Sequence, residues 1–317
     1  MAYTVSSFFE TIVAPAALNN TLVPRYRNAF LDSVFNGYQA GQNGHVGMPT
    51  VINIPVVNEA DVTDIGNGSL AISNKDNRPV TITIDKKFSV SKKIESFDAI
   101  RTPVQLKEQF MQGMLESLLR KCNRSIGSLF TPANFNKYPT IAGANAGAFN
   151  RLNVSAAWGN VVGTGAAPET GGDLFFFTDQ AAFANMVGDK GNDWITEALV
   201  GINAAELAQQ RAVLAPAFNC RIDYDQTMVA AGGPTHHGGI FYHRMAVGAL
   251  PLPEAKPSAT AVEHMVIYPT RDKRWPVMVQ FGYSLEAQGY ILHLYSIFGQ
   301  AVIYPEWGSY LETPASA

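Results

Sequence analysis

The sequence predicts an α+β fold, and three features carry that expectation. A very long two-faced strand runs almost directly into a long helix, and the C-terminal third is dense in strand signals. From Val80 to Ile94 the even positions read Val80, Ile82, Ile84, Lys86, Phe88, Val90, Lys92 and Ile94. The odd positions between them are Thr, Asp, Lys and Ser. Period-two alternation marks a strand with one apolar and one polar face. Unbroken, it would span roughly 50 Å at about 3.3 Å per residue, well beyond an ordinary strand. Such a strand either bends or projects, and a projecting apolar face needs a second chain to cover it.

Ahead of that strand, residues 1–46 read as an arm, with short apolar pieces broken by Pro15, Asn19-Asn20 and Pro24. Thr50 to Val57 reads as an edge strand, because Pro55 cannot donate to a ladder. The polar, turn-rich Asn58 to Asn77 would link it to the long strand, making one extended hairpin with a wide tip. The helix then has a start signal. Thr102 is placed as N-cap, Pro103 at the first helical position and Gln105 three residues after the cap. Leu106, Phe110, Met114, Leu118, Cys122, Ile126 and Leu129 follow at helical spacing. Helix from Pro103 to about Phe130 would be roughly 40 Å long.

Beyond it, Asn134 to Gly172 reads as loop-rich, and Asp173 to Phe177 as a short buried strand. Asp179 is placed to cap a short helix holding Phe183 and Met186, and Trp194 to Gln210 is helical in composition. Strands are expected at Phe218 to Tyr224, Gly239 to Leu250, Val262 to Tyr268, Trp275 to Tyr283 and Gly289 to Phe298. Gly299-Gln300 reads as a turn, with Ala301 to Tyr304 as a closing strand stopped by Pro305. The middle of the chain would be a second domain inserted between helix and C-terminal strands.

The 317 residues are 47% apolar, ample for one large core or two smaller ones. Only 15% are charged, against a usual quarter. Much of the surface is therefore expected to be subunit interface. A net charge of -3 implies no general attraction to nucleic acid. Cys122 and Cys220 read as reduced, small hydrophobes. No signal peptide or membrane-length apolar run is visible, so no membrane partner is expected.

Catalytic patterns are weak. His236-His237 lies in a Gly-rich stretch, reads as an exposed turn and lacks the companions of a tetrahedral metal set. His293 alternates within an apolar strand and reads as a core or interface histidine. Asp223 and Asp225, two apart, read as a strand end at solvent rather than an acid/base pair. Gly163-Thr164-Gly165 is followed by Pro168 where a dinucleotide loop needs glycine. No nucleophile elbow or phosphate loop occurs. Lys86-Lys87 and Lys92-Lys93 read as solvated strand lysines that discourage aggregation, with a partner-binding patch as the alternative. Asn-x-Ser/Thr triplets at Asn19, Asn67, Asn123 and Asn153 are no more than chance predicts. No cofactor, metal or enzymatic activity is expected.

The ordered features resemble the major capsid protein of tailed double-stranded DNA bacteriophages, the Hong Kong 97-type fold. The resemblance rests on the arm, the hairpin ending in Thr83-Ile84-Asp85-Lys86-Lys87-Phe88-Ser89-Val90, and the capped helix. It extends to Phe241 through Ala249, which looks like the strand leaving the central domain. Phe298 through Glu306 resembles a closing strand–Gly–strand hairpin, and Glu206 to Tyr224 a central-domain strand pair. The resemblance implies an N-terminal arm (1–46), an extended hairpin or E-loop (47–95) and a spine helix of the peripheral domain or P-domain (96–131). It implies an inserted axial domain or A-domain (132–254), with peripheral strands and tail over 255–317.

In function it implies a shell subunit that self-associates into hexamers and pentamers of an icosahedral head. That head would enclose double-stranded DNA without reading its sequence. A scaffolding protein and a portal are the implied partners, with a decoration or cement protein as a further one. The implied location is the virion, after assembly in the host bacterial cytoplasm. Expected subunit-interface residues are Val80, Ile82, Ile84, Lys86, Lys87, Phe88, Val90, Lys92 and Lys93. Expected cap and core residues of the spine helix are Thr102, Pro103, Gln105, Phe110, Met114 and Leu118. A cellular nanocompartment shell of the same fold, a soluble enzyme with an unrecognised site and a nucleic-acid-binding protein are the competing readings.

Overall fold

The computed structural model describes residues 28–36, 51–56, 78–95, 104–137, 149, 151–165, 167–168, 173–188, 220–228, 230, 233, 236–254, 263–270, 274–286 and 289–314. Within them two sheets and four α-helices alternate. The strands are β1 (Phe35–Asn36), β2 (Val51–Val56), β3 (Arg78–Glu95), β4 (Asn136–Lys137), β5 (Leu174–Thr178), β6 (Cys220–Tyr224), β7 (His236–His243), β8 (Val247–Leu252), β9 (Glu263–Ile267), β10 (Val277–Ser284), β11 (Gly289–Val302) and β12 (Gly308–Pro314). The helices are α1 (Ala29–Ser33), α2 (Val104–Gly127), α3 (Arg151–Trp158) and α4 (Gln180–Gly188). One sheet has seven strands, in the order β1-β8-β11-β10-β9, with β3 beside β11 and β2 beside β3. The other has five, in the order β4-β12-β7-β5-β6.

The long strand exists and is 18 residues long. Its first part pairs antiparallel with β2, from Val56↔Arg78 to Val51↔Thr83. Its remainder pairs antiparallel with β11, from Ile84↔Gly299 to Glu95↔Gly289. A register shift falls between the two, where Phe298 faces Lys86 and Gly299 faces Ile84. Asp85 is the extra residue, and a bulge of this kind bends the bulged strand. The alternation read from the sequence holds: Val80 and Ile82 are buried, Ile84, Lys86, Phe88 and Val90 half-buried, and Thr81, Thr83, Asp85, Lys87, Ser89 and Ser91 exposed. Phe88 and Val90 pack on the main core, while Val80 packs with Ile303. Val80 and Ile82 are thus covered within the chain, and Phe88 and Val90 in part. The tip over 57–77 lies outside the described residues.

Gly299-Gln300 is not a turn. Strand β11 runs through it from Gly289 to Val302. The glycine is there because β3 comes close at the bulge: a Cβ on Gly299 would stand 2.5 Å from the Thr83 carbonyl oxygen. Backbone cannot rotate away as a side chain does, so Gly299→Ala is expected to cost about 1–3 kcal/mol in chemical denaturation. An unchanged midpoint would show that the two strands are not pressed together there.

Helix α2 spans 24 residues. Met111, Met114, Leu115, Leu118, Leu119, Cys122 and Ile126 are all buried, a broader stripe than the sequence pattern picks out. Gln105 and Phe110 lie on the helix, whereas Thr102 and Pro103 lie outside the described residues. The main core is shared: α1 and α2 bring Phe30, Leu31 and the α2 stripe against Phe175, Phe177, Ile240, Tyr242 and Tyr310 of the five-stranded sheet. The same cluster contains Val247, Val277, Val279, Phe281, Leu292, Leu294 and Phe298 of the seven-stranded sheet. A second core lies on the other face of the five-stranded sheet, where Phe176, Ile222, Phe241 and Leu311 meet α3 and α4.

Three sequence expectations change. The stretch 134–172 is not simply loop: α3 continues as a wider π-type turn, Gly159–Thr164, and buries Val154, Ala157 and Val161. Small residues hide that helical spacing in an otherwise Gly- and Ala-rich segment. Gly239 to Leu250 is two strands, because Arg244–Ala246 forms a 3-10 turn that carries the chain from the five-stranded to the seven-stranded sheet. Lastly, β12 pairs with β7 in the five-stranded sheet, so the C-terminal segment serves both layers. Trp194 to Gln210 falls outside the described residues.

Candidate functional site

The two aspartates read as solvent-facing are buried, Asp225 completely. The Asp225 carboxylate accepts hydrogen bonds from Ala29 N (3.0 Å), Asn123 Nδ2 (2.8 Å), Thr227 N (2.7 Å) and Thr227 Oγ1 (2.6 Å). A buried carboxylate is tolerated only when donors surround it, as here. Asn123 sits on the buried stripe of α2 and is itself fully buried. Its Oδ1 accepts from Phe30 N (3.1 Å) and Leu31 N (3.2 Å). Together Asn123 and Asp225 take up three first-turn N–H groups of α1, which its own Asn28 side chain leaves uncapped. Farther along, Ser33 shares a hydrogen bond with Tyr242 Oη. Burial pushes the Tyr242 phenol above its ordinary range, so it stays neutral. The segment 28–36 is thus fastened to α2, the five-stranded sheet and, through β1 on β8, the seven-stranded sheet. Sequence reading missed this junction, although a lone Asn on an apolar stripe is a signal for it. Asp223 differs: it pairs with Arg221 at 3.2 Å and accepts from Tyr224 N.

His236 and His237 open β7 rather than forming an exposed turn. His237 Nδ1 stands 3.0 Å from Asp179 Oδ1, with both side chains largely covered. Asp179 also accepts from Ala182 N at 2.9 Å, which bears out its reading as the cap of α4. His293 shares a hydrogen bond with Ser91 at 2.6 Å and lies beside Tyr295. Burial, helped by Lys87, holds its imidazole below the usual histidine range. His243 accepts from Met245 N at the 3-10 turn, and burial lowers it likewise. Cys122 and Cys220 are free and buried, and burial pushes both thiols up to about 12, far from thiolate chemistry at neutral pH. Among the described residues no group of three or more His, Cys, Asp or Glu converges as a metal site. No helix among them is long and apolar enough to cross a membrane.

Of the expected interface residues, Val80 and Ile82 lie inside the fold, with Ile82 Cδ1 near Gly248 and Ile303. The lysines are more accessible. Lys87 lies 3.5 Å from Glu254 and 4.7 Å above the Tyr295 ring, and Lys86 lies 3.5 Å from Asp85. Lys92 and Lys93 are exposed near the end of β3. Met114 and Leu118 are buried as expected.

No family model matches the chain, and no curated protein matches it. Solved structures do. One from Mycobacterium phage Che8 is 11% identical, with a TM-score of 0.62, over 90% of this chain and 91% of that one. The capsid structure of the cyanophage P-SCSP1u is 14% identical, with a TM-score of 0.59, over 92% and 90%. The capsid of an empty GTA particle is 11% identical, with a TM-score of 0.54, over 95% and 98%. At these identities the likeness is one of fold, and it runs nearly end to end in both partners: the chain has the α+β fold of phage capsid structures and resembles a phage major capsid protein.

Proposed function

We propose that this chain is the major capsid protein of a tailed bacteriophage, a structural subunit that self-assembles into the shell of the virion. The observation that carries this reading is the end-to-end match of fold with capsid structures, at nine-tenths or more of the length on both sides. In this reading β2 and β3 are the two legs of the extended hairpin or E-loop. The helix α2 with the seven-stranded sheet forms the peripheral domain, and the five-stranded sheet forms the core of the axial domain. Subunits join as hexamers and pentamers, a scaffolding protein and a portal assist, and a decoration protein is a further partner. The shell encloses double-stranded DNA and is built in the host cytoplasm. The work is mechanical and needs no enzyme site. The low charged fraction supports a surface given over to contacts with like subunits.

The hairpin supplies the test. Because β3 beyond the bulge is locked to β11 within the chain, replacing residues 57–77 with a short turn should leave the subunit folded and block its assembly. Sedimentation velocity with scaffold supplied should show parent protein in large closed particles and the deletion protein as small species with native circular dichroism. Particles of parental size from the deletion protein would refute the role of the hairpin.

A further inference from the structure

The outward side of α2 carries an uneven charge. Between Leu115 and Gly127 the buried residues are Leu115, Leu118, Leu119, Cys122, Asn123 and Ile126. The exposed ones are Ser117, Arg120, Lys121 and Arg124, three cations within five positions and no carboxylate among them. Glu116 on the flank is half-buried and accepts from Gln112 at 2.9 Å. Lys121 Nζ lies 5.6 Å over the Phe88 ring, which sets this side of the helix beside the even-numbered face of β3. That face adds Lys86 and Lys92 on either side of Phe88. Among the described residues, five cations thus belong to these two neighbouring surfaces, Lys86 among them paired with Asp85 at 3.5 Å, in a chain whose net charge is -3. The helix dipole favours Arg124, which stands in the last turn.

We infer that this side is a polyanion-binding surface that takes the phosphate backbone of double-stranded DNA. The inference rests on the capsid reading and assigns the face of the shell that touches its contents. Two features favour nucleic acid over an acidic protein. The exposed positions of α2 from 113 to 128 hold only Gly, Ser, Arg and Lys, so no apolar side chain offers the anchor on which protein partners depend. Arginine forks and lysine ammonium groups hold phosphate oxygens without reading sequence. The serines between them, Ser117 and Ser128, which donate to Gly113 O (2.9 Å) and Ser125 O (2.6 Å), add no bulk that would keep a phosphate backbone away.

The test compares the parent subunit with a variant carrying Arg120→Gln, Lys121→Gln and Arg124→Gln, all at exposed positions that leave the core intact. Binding to a short DNA duplex is followed by fluorescence anisotropy at about 50 mM and about 200 mM salt. Parent affinity should fall steeply with salt. The variant should lose about tenfold or more at the lower salt, and its logarithmic salt slope should shrink by roughly two to three. A control with Arg274→Gln, at an exposed position on another part of the chain, should bind as the parent does. No parental binding at low salt, a variant that binds like the parent, or an equal loss in the control would each overturn the inference. So would a variant that binds DNA normally but no longer co-assembles with scaffold, which would give this surface to a protein. Electron microscopy of the same preparations separates the two claims: a parent that binds DNA through this face yet never forms shells would sink the capsid reading alone.

Discussion

Asp225→Ala is expected to destabilise the subunit by about 3–5 kcal/mol. The carboxylate is buried and collects four hydrogen bonds, two of them from distant parts of the sequence, at Ala29 and Asn123. Removing it leaves Ala29 N buried with no acceptor, strips Thr227 N and Oγ1 of theirs, and leaves Asn123 Nδ2 with Thr227 Oγ1 at 2.8 Å as its remaining partner. Each buried orphan costs about 1–3 kcal/mol. Asp225→Asn keeps one carbonyl acceptor and should cost less, about 1–2 kcal/mol. Urea unfolding followed by circular dichroism would measure both. If Asp225→Ala unfolds at the parental midpoint, the junction of α1, α2 and the five-stranded sheet does not hold the fold together.

Phe30→Ala should cost a comparable amount, about 3–5 kcal/mol, through a cavity rather than a lost polar contact. The ring is fully buried. It stacks on Phe130 with centroids 4.9 Å apart and meets Phe177 edge-on at 5.8 Å. Its far side rests on Gly127, where an added Cβ would approach Cε2 to 3.0 Å. Phe30 therefore wedges between the end of α2 and the five-stranded sheet, and only the missing side chain at Gly127 makes room. Hydrogen exchange gives the discriminating readout: amides of 29–34 should lose protection before those of β5 and β7. Retained protection at 29–34 would mean that the segment is held by its hydrogen bonds alone.

The parts legible in the sequence are those whose pattern is local. The alternation along β3 and the stripe of α2 follow from burial of one face, so residue order alone reports them. The cap at Asp179 was visible because a cap and its helix are neighbours in sequence. What stayed hidden depends on distant partners. Asn123 looks like a misplaced polar residue until Phe30, 93 positions away, and Asp225, 102 away, come to it. Gly299 reads as a turn until Thr83 is placed against it, and His236-His237 as a loop until β7 pairs with β5 and β12. The final strand, Gly308–Pro314, was lost because Pro305 reads as a stop, whereas the chain makes one 3-10 turn there and crosses to the other sheet. The exposed cations of α2 escape a reading by composition for a different reason, since a net charge averages over faces.

Electron microscopy of the purified protein, expressed with its scaffold, tests the central claim most directly. Closed shells of uniform size should appear, and a reconstruction should show the seven-stranded sheet with α2 and the five-stranded sheet repeated around five- and six-fold positions. A field of dispersed particles no larger than the 34.3 kDa chain would contradict the account.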